Sequence, residues 1–211
     1  MRTVVTTVTT LALLAFVLAG SAAAQDSAHR GSLKLTAGAG WTSLWDDETF
    51  LGRGVIVGGG VAAPLGAHAA IEAELAGATH HRDAGYLAAD GAPFIGTGRL
   101  AYYFRSPTAH VRPFASVGLA IVHSTGHFTT KSFVPDARGL PIEGAPTRTD
   151  WSITRGAYEL GGGVSIASGP TVALRPEFRW TTTGGETRPS VVEPPIWVLR
   201  AGVTVEWRIR R

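Results

Sequence analysis

Three groups of residues carry side chains that chemistry can use. His123, followed by Ser124 and Thr125, sets an imidazole beside two hydroxyls, the raw material of acyl transfer. That reaction needs histidine, nucleophile and carboxylate within hydrogen-bond reach of one another. In an extended chain Ser124 leaves on the face opposite His123. Thr125 shares the face but is an unusual nucleophile, and no carboxylate lies nearby on it. His80 and His81 with Asp83, and His123 with His127, are the donors a transition metal would take. Adjacent histidines diverge along a strand, however, and an i,i+4 pair comes together only on a helix. The runs Gly58-Gly59-Gly60 and Gly161-Gly162-Gly163 lack the Lys-Ser/Thr and the following helix of a phosphate loop. Arg175, Glu177 and Arg179, at alternate positions, form the densest charge ladder and offer either an ion path or mutual neutralisation. The expectation is therefore no catalytic residue, no metal site and no cofactor.

The elements that position these groups are strands. Apolar and polar residues alternate in about eight blocks between Gly31 and Arg211, and a period of two is the signature of a strand with two different faces. The last block is the clearest. Trp197, Leu199, Ala201, Val203, Val205, Trp207 and Ile209 fall on one face, with Arg200, Gly202, Thr204, Glu206 and Arg208 on the other. The expected strands run near 32–44, 53–63, 68–81, 95–104, 110–123, 153–167, 172–181 and 197–209. The joints at 64–66, 106–108 and 168–170 are tight, marked by Pro, Gly and Ser. Those at 45–48, 82–93, 124–150 and 182–195 are polar loops, of which 124–150 is the longest irregular stretch. Short and long joints alternate, which in an up-and-down barrel puts all turns at one rim and all loops at the other.

Residues 1–24 have the three parts of a signal peptide: Arg2, an apolar centre from Leu11 to Leu18, and Ala22-Ala23-Ala24 before Gln25. Residues 25–211 then form one domain. Beyond the leader no apolar run is long enough for a membrane-spanning helix. Yet 45% of the residues are hydrophobic, 27 are glycine and only 17% are charged. A soluble surface usually carries roughly a quarter or more charged residues. The formal charge of +3 is too small and too dispersed for nucleic acid.

Alternation alone does not say which face points inward. A soluble carrier would enclose its apolar residues around an oily cavity. Here the polar face holds Lys34, Arg99, Arg112, Arg175, Arg179, Arg200 and Arg208 against Glu72, Glu74, Glu159, Glu177 and Glu206, among small residues. Near balance of sign lets such charges pair inside a narrow barrel, and an unpaired charge there would be costly. The apolar faces carry no charge, as hydrocarbon requires. The reading is an all-β fold, an eight-stranded antiparallel up-and-down transmembrane barrel. Its lumen is filled by Glu72, Glu74, Arg99, Arg112, Glu159, Arg175, Glu177, Arg179, Arg200 and Glu206. Trp41, Trp151, Trp180 and Trp197 are expected as one interfacial girdle, with Phe104 and Trp207 as the other. Pro113 and Pro176 fall inside strands, where each removes a ladder donor.

The blocks from Val111 to Gly118 and from Leu174 to Trp180 resemble strand starts in small OmpA/OmpX-type outer-membrane barrel domains. The segment from Tyr158 to Ser165 is similar to a later strand of that group. This resemblance covers the whole mature chain and implies an eight-stranded barrel, inserted from the periplasm by the barrel-assembly machinery, with both termini periplasmic. Members of the group end on a terminal aromatic residue, whereas here Trp207 is followed by Arg208-Ile209-Arg210-Arg211. Some similar barrels deacylate lipid A, which would use His123. The other roles it leaves are a structural or surface-interaction protein, in contact with outer-membrane lipids and meeting an extracellular partner through loop 124–150, or a soluble periplasmic carrier of lipophilic ligands.

Overall fold

The computed structural model describes residues 32–209 apart from 47, 48, 86, 137, 185, 189, 190 and 194. The expected signal peptide, residues 1–24, lies outside the described residues. Eight long antiparallel staves form the body: β1 (Lys34–Asp46), β2 (Thr49–Leu65), β3 (Ala69–Ala78) continued by β4 (His80–Asp83), β5 (Leu87–Tyr103), β6 (Val111–Thr130), β9 (Thr147–Ala167), β10 (Val172–Thr183) and β13 (Ile196–Arg208). Two small ribbons stand outside it, β7 (Phe133–Pro135) with β8 (Pro141–Glu143), and β11 (Glu186–Arg188) with β12 (Val191–Glu193). Each stave pairs with its sequence neighbour, and β1 pairs with β13 from Lys34↔Arg208 to Asp46↔Ile196, closing the cylinder. Closure removes every sheet edge, as a lipid environment demands of a β-structure.

Parity is uniform around the wall. On β3 Ala70, Glu72, Ala76 and Ala78 are buried while Ile71 and Leu75 are exposed; on β13 Val198, Arg200, Thr204 and Glu206 are buried while Trp197, Val203 and Trp207 are exposed. On these staves the exposed outward face is therefore apolar and the charges face inward. This is the inverse of a water-soluble barrel.

Two expected loops are largely strand. The β6–β9 ladder runs without a break from Val111↔Ile166 to Thr130↔Thr147, so much of 124–150 is an extension of the wall. Likewise β4 and β5 pair out to Asp83↔Ala88, leaving a turn at Gly85, whose φ of 75° suits glycine. The three tight turns are at 66–68, with Gly66 at φ 79°, at 104–110 and at 168–171, all on the opposite rim. Pro113 and Pro176 both point outward. Pro176 stays in register with Val203 of β13, but the β9–β10 ladder skips from Leu174↔Ile166 to Glu177↔Gly163. The missing proline donor is thus confined to one side of one strand.

Candidate functional site

The lumen is stacked in layers, and its charged middle is the densest concentration of polar chemistry in the described residues. Arg175 is its hub, with 0% of its surface exposed. Its Nη1 donates to Glu72 Oε1 at 2.8 Å and to Glu206 Oε1 at 2.6 Å, and its Nη2 to Glu177 Oε2 at 3.3 Å. Arg99 donates from Nε to Glu72 Oε2 at 2.6 Å and faces Glu74 and Glu159 at 3.4 and 3.5 Å. Arg179 holds Glu74 at 2.7 Å and also Glu177, while Arg200 holds Glu74 at 3.2 Å and also Glu159. Lys34 Nζ completes the set on Glu206 at 2.9 Å. Remaining carboxylate lone pairs accept from Thr204 Oγ1, 2.6 Å from Glu177, and from Thr181 Oγ1, 3.2 Å from Glu159. Four arginines and one lysine face five glutamates, so the layer carries no net charge. Near-neutrality and hydrogen bonds to every carboxylate are conditions under which buried ions are tolerated, although the buried Nε atoms of Arg175 and Arg200 have no hydrogen-bond partner.

Arg112 stands apart from this layer, contrary to the sequence expectation. It lies at the turn-side rim, beyond the level of the carboxylates, and donates to Arg105 O at 3.3 Å and Ala67 O at 3.0 Å. Its guanidinium rests 4.2 Å over the Tyr103 ring, just as that of Arg175 rests 4.2 Å over Phe114. Tyr103, Phe114, Ala70 and Ala101 form an apolar floor between rim and ions. On the loop side the ions are capped by a second apolar layer, built on Leu44, Ile56, Ile95, Val122, Ile196 and Val198. Beside the ions lies a cavity of about 40 Å³, lined by Gly38, Gly58, Glu74, Arg179 and Thr204 among others. That is room for water and far below the roughly 300 Å³ or more of a small-molecule site.

The glycines admit the arginine stems. A Cβ on Gly118 would sit 2.7 Å from Arg99 Cβ and 2.6 Å from Gly98 O, closer than van der Waals contact allows. Outward-facing Gly98, by contrast, has nothing within 4 Å of such a carbon. Gly118→Val should cost about 1–3 kcal/mol by overpacking, and Gly98→Val should be near neutral. Denaturant titration of the folded barrel measures both.

Of the six aromatic residues expected at the interfaces, Trp41, Phe104, Trp197 and Trp207 are exposed and outward, and Trp180 is half-buried on the same outward parity. Trp151 is a correction. It shares the inward parity of Arg155, Ala157 and Glu159, and its ring stacks on Phe128 and on buried His80 at the mouth of the lumen. The two-residue period was right there, but 124–150 being strand moved residue 151 into the middle of a stave rather than to its end.

The candidate catalytic group separates as its parity dictates. His123 is exposed on the exterior and bonds Thr154 Oγ1 at 2.7 Å, while Ser124 is buried on the lumen side. His80 and His81 also diverge, one inward and one outward. Among the described residues no three His, Cys, Asp or Glu side chains converge as metal ligands. Sequence reasoning missed one grouping: His81 Nδ1 lies 2.6 Å from Asp90 Oδ1, and His127 Nε2 lies 3.5 Å from Asp90 Oδ2. Only the pairing of β4, β5 and β6 brings these three side by side.

A closed antiparallel barrel of eight staves, greasy outside and ionic inside, is an integral membrane barrel of the bacterial outer-membrane type. The chain belongs to the outer membrane protein beta-barrel domain family, whose model matches residues 11–203. Its fold is similar to that of Neisserial surface protein A, with a TM-score of 0.61 at 13% identity over 84% of this chain and 97% of that one. A major outer membrane protein from Thermus thermophilus gives a TM-score of 0.53 at 14% identity, over 84% and 100%. No curated protein matches the sequence.

Proposed function

We propose that this outer-membrane barrel is a non-catalytic and non-conducting structural protein that presents an extracellular wall for surface interaction. The observation that carries the reading is the lumen itself, a neutral ion network sealed by apolar layers on both sides. In this reading Glu72, Glu74, Arg99, Glu159, Arg175, Glu177, Arg179, Arg200 and Glu206, with Lys34, hold the staves together, and the outward aromatics sit at the membrane interfaces. The short-turn rim and both termini face the periplasm, as short turns do in such barrels. Outer-membrane lipids surround the exterior, and the barrel-assembly machinery inserts it. The segment 124–150, which holds the outer end of β6, the β7–β8 ribbon and the start of β9, meets partners outside the cell. The ribbon's exposed Phe133, Val134, Leu140 and Ile142 support such a role.

A lipid A hydrolase would need a carboxylate and a nucleophile beside His123, and its hydrogen-bond partner is Thr154. A lipophilic carrier would need an apolar cavity where the ions lie. Planar-bilayer recording tests the proposal. Folded protein that remains heat-modifiable on gels should add no single-channel steps, and steady unitary currents would overturn the sealed lumen.

A further inference from the structure

On the exterior of the loop-side wall, five strands contribute one outward residue each to a single cross-strand row. Register aligns Arg53 of β2 with His81, His81 with Asp90, Asp90 with His127, and His127 with Asp150. The side chains of His81 and Asp90 are 65% and 46% exposed, so the row is open to its surroundings. Along β6 the outward residues change from Leu119 and Ile121 to His123 and then, beyond Thr125, to His127; on β2 Val55 gives way directly to Arg53. At its β2 end, where Arg53 follows Val55, the row therefore adjoins the outer margin of the lipid-facing belt, where hydrocarbon yields to head groups, while on β6 His123 and Thr125 and on β9 Ser152, Thr154 and Gly156 stand between it and the belt.

The charge of the row and its flanks depends on three imidazoles, His81 and His127 within it and His123 two outward positions nearer the belt on β6. Arg148 donates to Asp150 at 2.9 Å, and Asp83, one row further out, accepts from Gly85 N at 2.9 Å. Lys131 and Glu143, 3.1 Å apart beyond the wall, cancel each other. Among the described residues, Arg53 and Arg148 against Asp83, Asp90 and Asp150 leave one negative charge when the imidazoles are neutral. Protonation of His81, His123 and His127 turns this into two positive charges, and imidazole is the side chain that changes charge between about pH 5 and 8. A carboxylate stays ionised through that interval, and Asp90 Oδ1, 2.6 Å from His81 Nδ1, keeps the imidazole aligned with it.

We propose that this row is an acid-activated docking face for the phosphates of lipid head groups in the surrounding leaflet. It repels them at neutral to basic pH and takes them up once its histidines are charged. The inference rests on the membrane reading above, through the position of the row at the edge of the belt.

The test uses the full chain folded in detergent, with heat-modifiable migration as proof of a formed barrel. Native mass spectrometry counts bound bisphosphorylated lipid A against the same lipid stripped of phosphate, at about pH 5.5 and about pH 8. Affinity for the phosphorylated lipid should be at least about tenfold higher at the acid pH, in keeping with the attraction of cations near an anionic surface. The dephosphorylated lipid should show no such change, and the triple variant His81→Gln, His123→Gln, His127→Gln should lose the preference while remaining heat-modifiable. Equal binding of both lipids at both pH values, or a preference unmoved by the triple variant, would overturn the proposal. So would displacement of the lipid by equimolar inorganic phosphate, which would make the face a site for free anion. A barrel that never shows the gel shift would instead undo the membrane reading beneath it.

Discussion

Arg175→Met should cost about 3–5 kcal/mol, the penalty for stranding buried charge when one partner of an ion pair is removed. The methionine fills most of the volume, so the loss is electrostatic. Glu72, Glu206 and Glu177 all lose a guanidinium donor lying within 3.3 Å, and Glu206 keeps only Lys34. Adding Glu206→Gln to the variant should recover part of the loss by restoring neutrality, a result that a simple packing defect would not give. Arg112→Met is the control, since that side chain is partly exposed and bonds only to carbonyls; its cost should be about 1 kcal/mol. Urea titration, read as loss of the heat-modifiable form, compares the three.

Leu119→Arg should destabilise the inserted barrel by about 2–4 kcal/mol, the cost of arginine at mid-bilayer on a lipid-facing strand position. Leu119 is 66% exposed, in the outward row of β6 between Val117 and Ile121. On a water-facing surface the same substitution would lie within about 0.5 kcal/mol of neutral. The variant thus separates a membrane exterior from a soluble one by magnitude alone. Equilibrium unfolding from lipid bilayers supplies the measurement.

How much of this was readable beforehand depends on where each residue sits relative to the bilayer. Between Val111 and Ile121, hydrocarbon outside and packed ions inside impose opposite demands on successive residues, so parity can be read directly from side-chain type. Beyond His123 on β6 the outward residues are no longer apolar and the inward ones are Ser124, Gly126 and Phe128, so neither face has a uniform character. The apolar alternation vanishes while the backbone ladder with Thr147–Ile153 persists, which is why Thr, His and Asp there read as loop. Trp151 was misplaced for the same reason: a strand end was assumed where the stave runs on. The ionic lumen was legible as a face rather than as a set of pairs. Lys34 and Arg112 have the same parity and the same charge sign, yet one reaches Glu206 and the other meets carbonyls and the Tyr103 ring but no carboxylate. Which cation finds a carboxylate depends on height along the barrel, fixed by inter-strand register that no single strand encodes. The His81–Asp90–His127 cluster is the same case on the exterior: a hairpin pairs His81 with Asp90, and the β5–β6 ladder brings in the more distant His127.

The orientation of the two faces is tested most directly by cysteine scanning, because the chain contains no native cysteine. Single cysteines placed in turn from 113 to 121 on β6, in protein reconstituted into lipid vesicles, would be challenged with a water-soluble maleimide. Positions 113, 115, 117, 119 and 121 should be shielded by lipid and give blue-shifted emission once carrying an environment-sensitive fluorophore. Rapid labelling of those odd positions in intact vesicles, with emission typical of water, would contradict an exterior facing hydrocarbon.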